Sequence, residues 1–170
     1  MGTVTAVSDE ALADLIADLT ERGLTIATAE SLTGGGLVAR LVDVPGASHV
    51  VRGGACTYAV DTKASVLGVS ESQLAVTGPV DEQVARQMAR GARELFCADI
   101  GVSTTGVAGP GPADGFPAGT VHIACVHPAG EEHRLLHLDG DRADVRAGAI
   151  DAAIALVRDV LDFAAVQVGD

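Results

Sequence analysis

A three-layer α/β/α fold, built on a mixed and mostly parallel sheet of about five strands, is what this sequence predicts. Three observations carry that expectation. Over the first two-thirds of the chain, short apolar runs alternate with stripes at helical spacing, the pattern of βαβ units and parallel strands. Residues 120–127 and 132–138 then read as two strands joined by Pro128, Ala129 and Gly130, which demands an antiparallel neighbour. Finally, 170 residues that are 48% hydrophobic, with no repeat, low-complexity tract or linker, suit a single domain spanning the chain with a sizeable core.

The elements follow in order. Ser8 precedes a stripe of Leu12, Leu15, Ile16 and Leu19, so it is the expected N-cap of a first helix that Gly23 stops. Residues 24–29 form the first strand, and the motif Ala29-Glu-Ser-Leu-Thr-Gly-Gly-Gly36 hands it over to a helix ending near Val42. A turn at residues 43–48 leads to a strand over 50–59, where Gly53-Gly54 implies a bulge or a close backbone approach. A short helix from about Asp61 carries Lys63 in its first turn, and Ser70 with Gln73 matches a capping box for another. Val84, Met88, Ala92 and Leu95 stripe a helix from Asp81 to about Phe96, and residues 100–104 make a buried strand. After the hairpin, Gly140 and Asp141 open a last helix with Val145, Ile150, Ile154, Val157 and Leu161 inside.

Composition narrows the function. The net charge of −12 repels phosphate backbones, and 2% aromatic residues with no Trp leave no stacking platform for single strands, so direct nucleic-acid binding is not expected. No apolar run reaches the roughly 18 residues of a membrane span, and residues 1–7 show no signal-peptide pattern. Cys56, Cys97 and Cys125 are odd in number and far apart, which fits a reducing cytoplasm better than a disulfide frame or zinc site. Ten of the eleven basic residues are Arg; Lys63 alone is Lys, and the only tyrosine, Tyr58, lies five residues before it. A lone amine among guanidinium groups is where a group able to lose its proton is sought, with chance use of Lys as the competing explanation.

Parallel strands line up their C-terminal ends along one sheet edge, where such folds bind ligands. Ser31, Tyr58 and Thr105 each fall at or just beyond such an end. Ser31 with Lys63 is a nucleophile and base pair of the Ser-Lys kind, with Tyr58 to relay a proton or hold the amine. Backbone N–H groups at Thr33, Gly34 and Gly35 are candidate oxyanion donors, and with Glu30 these residues form the candidate substrate-binding motif. The bland alternative is a helix capped by Ser31 or Thr33. The loop from Gly106 through Gly109 to Gly119 either wraps an anion or is a turn-rich connection; its length favours function. Arg142 and Arg146, one helical turn apart, either clamp a phosphate or sit on a solvated face. His122, His127, His133 and His137 share the hairpin without completing a ligand spacing, so no metal is assigned. The Gly-x-Ser-x-Gly elbow, the Gly-x-Gly-x-x-Gly fingerprint and the P-loop are all missing.

The strings Ala27-Thr-Ala-Glu-Ser-Leu-Thr-Gly-Gly35, Asp43-Val-Pro-Gly46, Tyr58 with Lys63, Leu67-Gly-Val69, Thr105-Gly-Val-Ala-Gly-Pro110, Gly119-Thr-Val121 and Gly140-Asp-Arg142 with Arg146 occur in that order. Together they resemble the C-terminal domain of the competence/damage-inducible protein CinA, known in stand-alone form as nicotinamide-nucleotide amidohydrolase. The resemblance implies hydrolysis of nicotinamide mononucleotide to nicotinate mononucleotide and ammonia in pyridine-nucleotide salvage. It implies Ser31 as nucleophile, Lys63 and Tyr58 as its partners, Thr105 and Gly106 as substrate contacts, and Arg142 or Arg146 on the phosphate. It also implies no metal or other cofactor, a homo-oligomer, and a mixed-sheet three-layer fold. The longer relatives add an N-terminal nucleotide pyrophosphatase-like domain for which 170 residues leave no room.

Two departures stand out. The family usually has Cys where this chain has Leu32, and its loop often carries a glycine-rich stretch and a Lys-Pro pair where this chain reads Gly111-Pro-Ala-Asp-Gly-Phe-Pro117. Loss of the loop lysine bears on phosphate affinity or nucleotide preference, and Phe116 is a candidate to pack on the nicotinamide ring. Two other readings stand beside the deamidase: a non-catalytic nucleotide-binding or protein-interaction module in competence or damage response, and amidase action on another nucleotide amide.

Overall fold

Ser8 does what its position predicts, accepting a hydrogen bond on Oγ from the Ala11 N–H at 3.1 Å and opening α1 (Asp9–Arg22), which closes where Gly23 turns left-handed. The computed structural model describes residues 4–167. After α1 come β1 (Ile26–Glu30), α2 (Gly36–Val42), β2 (Val51–Cys56), α3 (Val60–Leu67), α4 (Glu71–Thr77) and α5 (Glu82–Leu95). Then follow β3 (Ile100–Gly106), β4 (Thr120–His127), β5 (Gly130–His137) and α6 (Arg142–Gln167). Ser70 caps α4 on the Gln73 N–H as predicted, but the capping box stays half made, because the Ser70 N–H donates to Gln87 Oε1 at 2.7 Å; Asp81 caps α5 on the N–H groups of Gln83 and Val84.

The five strands order as β2-β1-β3-β4-β5. β1 runs parallel to both β2 and β3, β4 opposes β3, and β5 opposes β4, so β4 alone runs against the other strands. This is the mixed, mostly parallel sheet the sequence predicts. Pairing of β1 with β2 skips Arg52, matching Ile26 with Val51 and Ala27 with Gly53, so the expected bulge lies beside the glycine pair.

Alternation along the strands separates the two helical layers. Ile26, Ile100, Val102, Val121, Ile123 and Cys125 face the larger core with α1, α2 and α6. Ala27 and Ala29 face α5 and α3, and Ala124 and Val126 meet Ala85 and Ala89 of α5. That second face is lined with small residues because α5 lies close to the sheet. A Cβ on Gly101 would fall 2.0 Å from the Ala89 carbonyl oxygen. Among the described residues no helix is long and apolar enough to cross a membrane.

Candidate active site

Where β1 and β3 end side by side, the chain opens a cleft of about 250 Å³. Ser31 enters it directly after β1, Tyr58 from the link behind β2, Lys63 from α3, and Thr105 and Gly106 from the last residues of β3. Residues 107–114 form the opposite wall, and Arg142 reaches in from the start of α6. Ser31, Tyr58 and Thr105 are thus brought to one crevice, as their strand-end positions predict, and α3 adds Lys63 to it.

The turn that presents Ser31 is built on Glu30, whose side chain is fully buried. Its carboxylate accepts hydrogen bonds from the N–H groups of Gly35 (3.0 Å), Leu37 (2.9 Å) and Val38 (2.8 Å). It also accepts from the hydroxyls of Thr28 (3.1 Å) and Thr33 (2.6 Å), and Thr33 pairs in turn with Thr104 (2.8 Å). A buried carboxylate is tolerated only with such partners, and these include the otherwise unpaired donors that open α2. The N-cap position itself is Gly35, at φ 94°, with no side-chain cap.

This corrects the sequence reading of the motif. Neither Ser31 nor Thr33 caps α2, and Glu30, Thr33, Gly34 and Gly35 do not line the cleft. The helix N-terminus is already filled by a carboxylate, so it has no room for a substrate anion. The Gly34 N–H is likewise engaged, donating to the Ser31 carbonyl at 3.1 Å. Of the two N–H groups in this turn that have no acceptor among the described residues, those of Leu32 and Thr33, only Leu32 belongs to a residue that lines the cleft.

Lys63 lies behind Ser31. It is 1% exposed, and its Nζ donates to Ser31 Oγ at 3.0 Å and to the Thr57 carbonyl at 2.5 Å. Burial lowers the amine from 10.5 to about 8, with the charge of Asp114 opposing the shift. A neutral amine is therefore within reach near neutral pH, hydrogen-bonded to a hydroxyl that is 9% exposed to the cleft. That is the arrangement an activated serine requires.

The remaining residues take other places. Tyr58 is 63% exposed, and its hydroxyl accepts from Arg142 at 2.9 Å, while the Thr57 carbonyl holds the amine. Arg142 also donates to the Gly109 carbonyl at 2.6 Å, tying the glycine-rich loop to α6. Arg146 donates to the carbonyls of Leu32 (3.0 Å) and Thr33 (2.9 Å), so it braces the Ser31 turn. Arg142 and Arg146 nonetheless share a second hollow, of about 640 Å³, that has residues 108–111 as a common wall with the cleft. Thr105 donates to the Pro79 carbonyl at 2.7 Å. Gly106 is required by β4, since a Cβ there would fall 2.4 Å from the Thr120 carbonyl oxygen.

In the loop, Phe116 is absent from the cleft lining, whereas Asp114 belongs to it. The Asp114-Gly115 pair is a two-residue turn signal that could have located this position in the sequence. Thr57 carries no such signal, because its main-chain carbonyl does the work. His122 and His133 share a hydrogen bond of 2.9 Å on the α5 face, and no group of three or more metal-ligating side chains occurs among the described residues.

The same architecture recurs in known proteins. The family model of the CinA C-terminal domain matches residues 9–161. A CinA-like protein of Frankia casuarinae is 48% identical over 143 residues, covering 84% of this chain and 33% of that protein. A putative competence-damage inducible protein of Desulforamulus reducens is 41% identical over 157 residues, covering 92% of this chain and 38% of that protein. The chain thus spans about a third of the length of these curated relatives. Among solved structures, a competence/damage inducible protein from Agrobacterium tumefaciens superposes with a TM-score of 0.87 at 34% identity, covering 95% of this chain and 99% of that one. One from Enterobacter asburiae gives 0.85 at 33% identity, covering 89% and 96%. With its fold, its ordered strings and these matches in agreement, the chain belongs to the CinA C-terminal domain family.

Proposed function

We propose that this domain is a serine amidohydrolase that converts nicotinamide mononucleotide to nicotinate mononucleotide and ammonia. The observation that carries the reading is the 3.0 Å contact between a buried amine, lowered to about 8, and the Ser31 hydroxyl. Neutral Lys63 takes the Ser31 proton as Oγ attacks the carboxamide carbon, and the free N–H group of Leu32 receives the oxyanion. Collapse breaks the C–N bond, and the Lys63 ammonium returns its proton to the leaving nitrogen, which departs as ammonia. Water, deprotonated by Lys63, then attacks the ester carbon; the bond to Ser31 breaks, Oγ recovers its proton, and the acid leaves as a carboxylate.

The adjoining hollow with Arg142 and Arg146 suits the phosphate. Tyr58 acts from the rim, where its contact with Arg142 links the mouth of the cleft to that hollow. The family resemblance supports the choice of a pyridine nucleotide over other amides. Ammonia release from nicotinamide mononucleotide by the purified protein and by Ser31→Ala tests the reading. Release by the parent protein and its loss in the variant are expected. No release by the parent sinks the proposal, and tight binding without turnover would instead make the domain a nucleotide-binding module.

A further inference from the structure

We propose that Asp114 sets the charge preference of the cleft, selecting amides carried on a cationic pyridinium ring over the same amides on a neutral ring. The inference rests on the amidohydrolase reading above. Asp114 is the one carboxylate among the described residues that line the cleft, where the other formal charges are Lys63 and Arg142. Arg142 is tied to the Gly109 carbonyl and to Tyr58. Asp114 forms no hydrogen bond or ion pair among the described residues, so its carboxylate is uncommitted.

Its position is fixed by the backbone rather than by its side chain. Ala113 and Phe116 exchange two backbone hydrogen bonds, 3.0 and 2.9 Å, around Asp114 (φ 52°) and Gly115 (φ 83°). Two successive left-handed residues inside such a pair make the tight mirror-image turn that Asp-Gly favours. The turn therefore holds Asp114 on the wall facing α3, near enough for its charge to act on the Lys63 amine.

A carboxylate placed there does two things to a pyridine nucleotide. It attracts the quaternary ring nitrogen of the substrate, a charge that cannot be removed by proton loss. It also repels the carboxylate that replaces the amide in the product, which favours release. The phosphate lies toward Arg142 and Arg146, so the cleft carries a negative wall for the ring and a positive hollow for the phosphate.

The test compares nicotinamide mononucleotide with its reduced-ring dihydro form, which keeps the amide, ribose and phosphate but has no ring charge. Dissociation constants are measured by calorimetry for the parent protein, Asp114→Asn and Asp114→Glu. The parent should favour the cationic ring by about tenfold, the scale of one close charge pair in a partly solvated site. Asp114→Asn, which accepts the left-handed turn as readily, should level that preference and bind nicotinate mononucleotide more tightly; Asp114→Glu should retain the preference. An unchanged preference in a folded Asn variant of an enzyme that still releases ammonia overturns this inference alone. Failure of the parent to bind or hydrolyse either mononucleotide overturns the amidohydrolase reading, and this inference with it.

Discussion

The two walls of the cleft are made on opposite plans. On one side the Ser31 turn is locked from beneath: Glu30 collects five donors, Thr33 adds Thr104, and Arg146 pins the carbonyls of Leu32 and Thr33. On the other side residues 109–116, between ends tied to Thr120 and Gly119, are held by one two-residue turn and by the reach of Arg142 to Gly109. The locked wall carries Ser31, the proposed nucleophile, whose proton transfer would depend on tenths of an ångström. On the proposed reading, the loose wall faces the parts of a ligand that distinguish one amide from another. Stability and reactivity are thereby concentrated in one wall, and selectivity in the other.

The largest effects should come from the locked side. Lys63→Arg keeps the charge but cannot lose a proton, so ammonia release should fall by about a thousandfold. In the parent, the rate should rise with pH through about 8 as the amine becomes neutral. Lys63→Met should be equally inactive yet more stable. Lowering the amine from 10.5 to about 8 corresponds to about 3 kcal/mol against the charged form, of which roughly 1–2 should survive the lost hydrogen bonds. The sign follows from proton counts: above about 8 the unfolded chain holds more protons at this site, so parent stability rises with pH toward 10.5. The gain from Met should be present at neutral pH and vanish across that window. Denaturant midpoints at pH 7 and 10 check it, and a destabilised Met variant at pH 7 would contradict the assigned cost of burial.

Glu30→Ala should come next, costing about 3–5 kcal/mol, because it strands buried donors at the start of α2 and removes a fully paired carboxylate. Activity should fall with it, although Glu30 never touches the cleft. Arg142→Ala, on the other wall, should leave the unfolding midpoint nearly unchanged and raise KM about tenfold with little change in kcat. If Arg142→Ala unfolds the protein as readily as Glu30→Ala, the contrast between the walls is wrong.

What the sequence revealed follows the same division. Caps at Ser8 and Ser70 were legible because each bonds within three residues. The lone Lys63 was legible through its rarity, although its burial was not. The role of Glu30 was hidden: its partners run from Thr28 to Val38, and the hydroxyl it shares with Thr33 leads on to Thr104, a contact that only the pairing of β1 with β3 creates. Tyr58 was expected at the amine and lies at the rim, because the preceding carbonyl, of Thr57, occupies that place. Local chemistry reads from local sequence, whereas a network assembled across strands does not.

The smallest prediction applies one substitution to both walls. Gly35 (φ 94°) and Gly115 (φ 83°) both adopt backbone that disfavours a side chain, so Ala at either position incurs about 1 kcal/mol of strain. At Gly35 a Cβ would also come within 3.3 Å of Cys56 Sγ, and any shift of the backbone weakens the 3.0 Å bond to Glu30. At Gly115 nothing lies within 4 Å, and the loop can redistribute the strain. Gly35→Ala should therefore lower the unfolding midpoint by several degrees and slow turnover, while Gly115→Ala should shift the midpoint by about 2 °C or less. Because Gly115 follows Asp114, its substitution should change the ratio of affinities for cationic and neutral rings more than it changes kcat. Equal losses of stability at the two glycines would mean that the loop is as firmly locked as the Ser31 turn, and the division of labour between the walls would fail.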